Sequence, residues 1–521
     1  MRRTMRACSR AFAGSATLVL SLAAVAHGQQ AQLDTTSLTE LQIAGVRRLK
    51  EMIEVLNTGD QAKMRAYFEA NSVGAPDPQG AKTFSGHVPT LSHILNRYST
   101  SRGVDLVRVT TEPSRGEMVA IVRNRLTGDE EYLPVRVEPQ PPHRIIGVPV
   151  IGANVAATFG LKLVGSVGVT EQERLHEIGA YLKKMGDAEI FSGAIVIARD
   201  GKPVFAKAYG YADREKKIPN TIDTPFLLAS MVKPFTGLAI GQLVEQGKLS
   251  YDDPLSKFLP DFPDPESAKK IRIKHLLSHT SGLAREGSPI DSSSIDHPTT
   301  VKAMVEAFDR KPLASEPGTK WSYSNMGFVL LGRIIEIVTG QDYYDYMGKN
   351  VFAPAGATSA SFPLLPENGV AVVPMAYPYD AEWDRDNLRW YTQNQLGKRT
   401  RRGSPAGSAI ASALDLIKLS NAMRAGQIVK PETFHLHSSA KNELGAPTYG
   451  YGFIAGPYYG RPFVGHNGRS WGQCTEFGEL KDTPYTIVVL SNGKMDGCRP
   501  ITSKILRVLR PAEAIAKPVQ P

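Results

Sequence analysis

The run Ser230-Met231-Val232-Lys233-Pro234 places a hydroxyl and an amine three residues apart. In a helix that spacing returns the amine to the serine's face one turn along. Pro234 is tolerated only within the first turn of a helix, so the helix is expected to begin at about Ser230, with the hydroxyl at its N-terminus. The residues that follow (Phe235, Leu238, Ala239, Leu243 and Val244) are apolar enough to bury that helix. Burial would strip water from the Lys233 amine and lower its pKa toward that of a useful base. A serine beside such an amine is a nucleophile for acyl transfer. Taken alone, the same tetrapeptide is met by any surface serine and lysine, so the decision rests on what else the chain carries.

Two later elements carry it further. Tyr323-Ser324-Asn325 brings a phenol and an amide after Pro317-Gly318 and ahead of a helical run over 326–338. Gly465-His466-Asn467-Gly468-Arg469 begins at the end of an expected strand. In this order and at these separations, the three elements resemble the signature of the serine β-lactamase and penicillin-binding-protein family, in its class C β-lactamase and esterase-like branch. The connecting text resembles it too. Residues 273–283, from Ile273-Lys274-His275 to Ser281-Gly282-Leu283, look like the family's internal scaffold segment, as do 317–332 and the run from Ala406-Gly407-Ser408 to Asp415-Leu416. The resemblance covers residues 171–510.

Carried over position by position, the resemblance implies that Ser230 attacks a carbonyl carbon while Lys233 and Tyr323 remove and return its proton. It leaves open which of the two is the base. The backbone N–H groups of Ser230 and Arg469 would form the oxyanion hole, Asn325 would bind the acyl side of the substrate, and His466 and Gly468 would line the same site. Tyr323 would activate the water that releases the acyl group, because no separate glutamate motif for that step is present. The resemblance calls for neither cofactor nor metal. One position departs from the pattern: β-lactamases and transpeptidases carry lysine where this chain has His466, and a neutral imidazole holds a substrate carboxylate less well at pH 7. The expected activity is therefore hydrolysis of a small-molecule or peptide ester or amide, as an esterase or amidase. The alternatives are a β-lactamase, a D-Ala-D-Ala carboxypeptidase or D-aminopeptidase, or a penicillin-binding sensor that is acylated without turnover.

Two other patterns compete for attention. Gly468-Arg469-Ser470-Trp471-Gly472 fits G-x-S-x-G, the nucleophile elbow between a strand and a helix, but the residues after it read as a strand. His275 and His279 are four apart, as metal ligands on a helix often are, yet no glutamate lies between them and no further ligand cluster stands out. Both histidines are read as structural.

The elements that must position these residues read as α+β. Thr170 and Glu173 form a capping box that opens a helix to about residue 185. Strands follow over 194–198 and 204–209 around an Asp200-Gly201 turn, then a long helical middle. Strands return over 450–454, 461–465, 474–480 and 485–490, with a last helix over 500–509. The sequence thus describes an antiparallel sheet assembled from both ends of a domain at 170–512, flanked by helices and interrupted by a helical insert. Within that insert, residues 377–391 are rich in aromatics, which would either roof an acyl pocket or serve ordinary packing.

An earlier domain is expected over 33–148. Two helices broken at Asn57-Thr58-Gly59-Asp60 carry Leu49, Met52, Ile53 and Leu56 at helical spacing, and a further helix is expected over 91–98. Strands are expected over 105–111, 117–122, 131–137 and 144–148. The segment 55–70 and this helices-then-strands order resemble the cone-shaped nuclear-transport-factor-2-like domains, which implies small-molecule binding or a homodimer formed through this domain. Residues 149–169 are apolar and glycine-rich and read as a packed linker.

With 521 residues, 42% of them hydrophobic and 21% charged, the chain has room for these two domains and the balance of an ordinary folded protein. Arg2, Arg3, Arg6 and Arg10, an apolar run over 11–26 and Ala26-His27-Gly28 read as a secretory signal peptide over 1–28. The apolar run falls short of the roughly 20 residues a membrane span needs, so no stable membrane anchor is expected and the product would be periplasmic or secreted. Without those four arginines the net charge falls from +10 to +6, too diffuse to imply nucleic acid. The dense run at Lys398, Arg399, Arg401 and Arg402 reads as a solvated loop. Cys474 and Cys498 remain after cleavage, and either a disulfide or two buried thiols would suit them.

Overall fold

The computed structural model describes residues 39–73, 101–112, 117–147, 169–283, 298–307, 312–365, 373–384, 389–394, 396, 401–470, 472–493 and 497–510. The signal segment, the helix expected over 91–98, the linker up to 168 and the Lys398-Arg399 part of the basic run lie outside them. The chain divides into two compact units, Met1–Leu161 and Lys162–Pro521.

In the first unit, Thr39 and Gln42 exchange hydrogen bonds in a capping box that opens α1 (Glu40–Asn57). Leu49, Met52 and Leu56 are fully buried and Ile53 nearly so, giving the helix one apolar face. Asp60 caps α2 (Gln61–Asn71) by accepting from the N–H groups of Ala62 and Lys63. An antiparallel meander follows: β1 (Val104–Glu112), β2 (Glu117–Asn124), β3 (Glu130–Val137) and β4 (Ile145–Gly147), in that spatial order. Two contacts join helix to sheet. The Asn57 side chain bonds both the N–H and the C=O of Val104, each at 2.8 Å. Gly45 lies so close to Met118 that a Cβ there would stand 2.4 Å from its Cγ.

In the second unit, the Thr170–Glu173 capping box opens α3 (Glu171–Asp187). A hairpin of β5 (Gly193–Arg199) and β6 (Lys202–Tyr209) turns through Asp200 and Gly201, both at positive φ. After the 3₁₀ turn Ala229–Val232 come α4 (Lys233–Glu245), α5 (Ile273–Leu277) and α6 (Asn325–Thr339). The aromatic stretch forms a hairpin of its own, β7 (Tyr379–Asp384) with β8 (Arg389–Asn394). α7 (Ala413–Arg424), β9 (Ile454–Tyr458), β10 (Arg461–Ser470), β11 (Gln473–Leu480), β12 (Tyr485–Ser491) and α8 (Cys498–Val508) complete the unit.

The main sheet runs β9-β10-β11-β12-β5-β6 and is antiparallel throughout. The expected sheet built from both ends is what forms: β5 pairs with β12, Gly193 opposite Ser491. Ala194, Val196 and Ala198 of β5, with Val488 and Leu490 of β12, join the core that contains α4 and α6. Ile195, Ile197, Ile487 and Val489 are equally buried on the opposite face. Covered on both sides, β12 is buried along its whole length and carries the apolar run Ile487-Val488-Val489-Leu490.

Two local expectations are corrected. The strand expected over 450–454 lies instead at Ile454–Tyr458. Gly450 donates to Phe453 O, Tyr451 to His437 O and Gly452, at φ +91°, to Leu277 O, so these N–H groups serve a local turn and the C-terminal ends of two helices, Pro431–His437 and α5, instead of the sheet. Secondly, the α-helix starts at Lys233, three residues later than expected, with Ser230 on the 3₁₀ turn before it. Pro234 has no N–H for the Ser230 carbonyl, which accepts from Lys233 N–H instead, and that shorter bond is the 3₁₀ pattern. Among the described residues no helix is long and apolar enough to cross a membrane.

Candidate active site

Ser230 sits where three segments meet. Its turn runs directly into α4, whose face from Phe235 to Leu243 is buried as the apolar pattern required. Strand β10 abuts the turn at Gly468, where a Cβ would stand 2.2 Å from Leu228 O and 3.0 Å from Ala229 Cβ. Only glycine permits that approach. From the third side, Ser324 caps α6 by accepting from Gly327 N–H, which leaves Tyr323 just ahead of the helix and Asn325 as its first residue.

The side chains converge on one oxygen. Tyr323 Oη donates to Ser230 Oγ at 2.7 Å and Lys233 Nζ lies 3.1 Å from the same atom. Lys233 Nζ also donates to Asn325 Oδ1 at 2.9 Å and to Ala406 O at 2.6 Å. It lies over the Tyr323 ring at 4.8 Å from the centroid. The amine is fully buried, and among the described residues no carboxylate pairs with it. Desolvation therefore holds its pKa well below the usual lysine value. Such an arrangement can take a proton from the serine hydroxyl and pass it through the phenol.

His466 is 2% exposed, and both ring nitrogens are engaged, Nε2 with Tyr449 Oη at 2.8 Å and Nδ1 with Asn467 O. Burial, with the nearby Lys233 amine, pushes its pKa down to about 3, so the ring is neutral. The Arg469 guanidinium is directed to Glu476 across the β10–β11 pair, at 3.4 Å. The structure brings Ser230, Lys233, Tyr323 and Asn325 into direct contact, sets Gly468 against the Ser230 turn and ties His466 to Tyr449.

Three participants carry no local signature. The Ala406 carbonyl comes from 173 residues away and is recognisable only as part of the Ala406-Gly407-Ser408 run. The same loop is anchored by Thr236, whose hydroxyl donates to Pro405 O at 2.7 Å. Tyr449 and His279 complete the set: nothing beside Tyr449 announces it, and His279 lies in the scaffold-like segment 273–283, whose histidines read as structural.

The competing patterns resolve into structure. Ser470 ends β10 and Gly472, at φ +67°, turns the chain into β11, so G-x-S-x-G here is a hairpin and lacks the helix of a nucleophile elbow. His275 Nδ1 accepts from Arg272 N–H, whereas His279 Nδ1 accepts from Ser324 N–H. The two rings serve different partners. Among the described residues no three His, Cys, Asp or Glu side chains gather as a metal would require. Cys474 and Cys498 are buried free thiols, with Cys498 N–H donating to Cys474 Sγ at 3.2 Å.

A model of the β-lactamase family matches residues 179–502. Among curated relatives, the putative penicillin-binding protein PbpX of Bacillus subtilis (strain 168) is 31% identical over 286 residues, or 55% of this chain and 66% of its own length. The match thus spans just under two thirds of that relative. The teichoic acid D-alanine hydrolase of Staphylococcus aureus is 28% identical over 334 residues, covering 62% of this chain and 75% of that one. Among solved structures, a penicillin binding protein from Bacillus halodurans superposes with a TM-score of 0.53 at 27% identity, covering 64% of this chain and 100% of that chain. The family match starts at residue 179, beyond the first unit.

Proposed function

The chain belongs to the β-lactamase family of serine hydrolases, and from that premise we propose that it is an exported enzyme cleaving an ester or amide through an acyl-enzyme on Ser230. The observation that carries this reading is the buried Lys233 amine, 3.1 Å from Ser230 Oγ and held by the uncharged oxygens of Asn325 and Ala406. A lysine in that setting favours its neutral form and can act as a base.

In this reading Ser230 Oγ attacks the carbonyl carbon while its proton leaves through the Lys233–Tyr323 pair. Tyr323 returns a proton to the leaving group. Water then attacks the acyl-enzyme, releasing the acid and restoring the hydroxyl. The N–H groups of Ser230 and Arg469 receive the developing oxyanion, an arrangement typically worth about 3 to 4 kcal/mol per donor. Asn325 gives its amide oxygen to Lys233, so its NH₂ end faces the acyl side of the substrate.

The neutral His466, tied to Tyr449, supplies no cation for a substrate carboxylate. That favours esters and amides without a carboxylate beside the scissile bond over β-lactams and D-Ala-D-Ala peptides. The leader-like first 28 residues support export. The helix-then-meander order of the first unit supports a nuclear-transport-factor-2-like domain over 33–148 that binds a small molecule or pairs with a second copy, ahead of the hydrolase domain over 170–512.

The test is a substrate panel on the mature protein: short-chain p-nitrophenyl esters, D-alanyl esters and amides, nitrocefin and a D-Ala-D-Ala peptide, each with Ser230→Ala beside it. Burst kinetics on an ester, lost in the variant, are expected. A stable penicillin adduct with no turnover of any member would assign a sensor instead.

A further inference from the structure

His279 occupies the position just past the C-terminal cap of α5. Thr280 N–H donates to His275 O at 2.9 Å and His279 N–H to Leu276 O at 3.4 Å, the pair of bonds that ends a helix at a left-handed residue. His279 is that residue, at φ +58°. Glycine or asparagine takes such a conformation with little strain, whereas a histidine there is strained and calls for a compensating contact.

Tyr323 provides one. His279 O accepts from Ser322 N–H at 2.7 Å, and His279 Nδ1 accepts from Ser324 N–H at 3.2 Å. The N–H groups of the residues on either side of Tyr323 therefore both end on a single residue. The imidazole also packs on the phenol, with centroids 4.3 Å apart and planes tilted by 38°. Phe328 and Tyr449 pack on the same imidazole at 5.1 and 4.8 Å, so the ring is only 1% exposed. Because Nδ1 accepts, the ring's proton sits on Nε2, and burial beside Lys233 opposes a second one.

We propose that His279 is a positioning residue that clamps the segment 322–324 and so holds the Tyr323 hydroxyl at bonding distance from Ser230 Oγ. The inference rests on the proposed role of Tyr323 in moving the Ser230 proton. A residue that merely ended the helix would be replaceable by glycine without loss of rate.

The experiment compares His279→Gly and His279→Asn in the full mature chain. Both suit the left-handed backbone, but only asparagine offers an acceptor near the place of Nδ1. His279→Leu, which fills the space without an acceptor, serves if the glycine variant does not fold. The readouts are kcat and KM on p-nitrophenyl butyrate and the ring resonance of Tyr323 in ¹³C-tyrosine-labelled protein, assigned by its loss in Tyr323→Phe. Displacing a catalytic group by an ångström costs about 100-fold, so the glycine or leucine variant is expected to lose kcat on that scale with KM little changed. Its Tyr323 resonance should shift, and asparagine should restore most of both. A folded glycine or leucine variant with wild-type kcat and an unmoved resonance overturns the proposal, as does an asparagine variant no better than they are. If Ser230→Ala keeps full turnover, the reading of the nucleophile falls instead, and the Tyr323 resonance still tests the clamp.

Discussion

Lys233 Nζ lies 3.1 Å from Ser230 Oγ, and its other acceptors, the Asn325 amide and the Ala406 carbonyl, are as uncharged as the serine. Among the described residues no carboxylate offsets the loss of water on charging the amine, so its proton is weakly held. The acylation rate should therefore rise with pH as Lys233 loses that proton, below the ordinary lysine range. Lys233→Arg keeps a charge that cannot be shed and should lose about 10²- to 10⁴-fold in kcat/KM together with this pH dependence. Stopped-flow acylation across pH measures both. An arginine variant with an unchanged profile would remove the base from Lys233.

Gly468→Ala tests the approach of β10 to the nucleophile. The added methyl would meet Leu228 O and Thr475 Oγ1, at 2.2 and 2.5 Å, closer than any Cβ contact allows, so something must shift. The strand should shift away from the Ser230 turn, carrying the Arg469 N–H with it. Losing one oxyanion donor costs about 10² to 10³ in kcat, and the overpacking itself about 1–3 kcal/mol of stability. Steady-state kinetics and urea unfolding separate the two effects. Wild-type kcat in a destabilised variant would show that Arg469 N–H is not a donor.

Acid should weaken the fold through its buried histidines. His466 and His437 are each pushed down to about 3 by burial, against 6.5 for a free ring. Their unfolded forms bind protons first as the pH falls, so the stability they contribute is complete above about 6.5 and drains away toward pH 3. Urea midpoints at pH 7.5 and 5 should differ in that direction, and the difference should narrow in His437→Gln. An equal drop in that variant would rule this ring out as a source.

Arg461 is 2% exposed, makes two bonds of 2.6 Å to Asp482 and donates to Leu506 O at the end of α8. Asp482→Ala strands a buried guanidinium and should cost about 3–5 kcal/mol, the usual penalty for removing one partner of such a pair. Replacing both partners, Arg461→Met with Asp482→Ala, should recover much of that loss. Denaturant titration of the three proteins is decisive, because a double variant no better than the single one would mean that the pair is not what matters.

What the sequence disclosed depends on distance along the chain. The Ser230–Lys233 spacing is local, so its geometry follows from one helical turn; the capping box at Thr170 and the turn at Asp200-Gly201 are local in the same sense. The order of Ser230, Tyr323 and His466 was legible only through resemblance, since no spacing rule joins residues so far apart. The Ala406 acceptor, the Tyr449–His466 bond and the grip of His279 on the Tyr323 segment were not legible at all. Each needs the assembled tertiary structure before its partner is in reach. The misplaced strand at 450–454 has a related cause: its residues have strand-like character, but the Tyr451 and Gly452 N–H groups are claimed by helix ends, at His437 and Leu277, that the sequence does not mark as neighbours.

The pairing of β5 with β12 also sets when this protein can begin to work. Ser491 Oγ donates to Ser192 O across 299 residues of chain, so the middle of the sheet waits until residue 491 has been made. Loop closure over such a span is slow, and the half-made chain has no sheet on which to seat the Ser230 turn. A nascent or prematurely terminated product should accordingly be inert and open to proteases. That delay keeps the nucleophile silent until both strands at the middle of the sheet have been made.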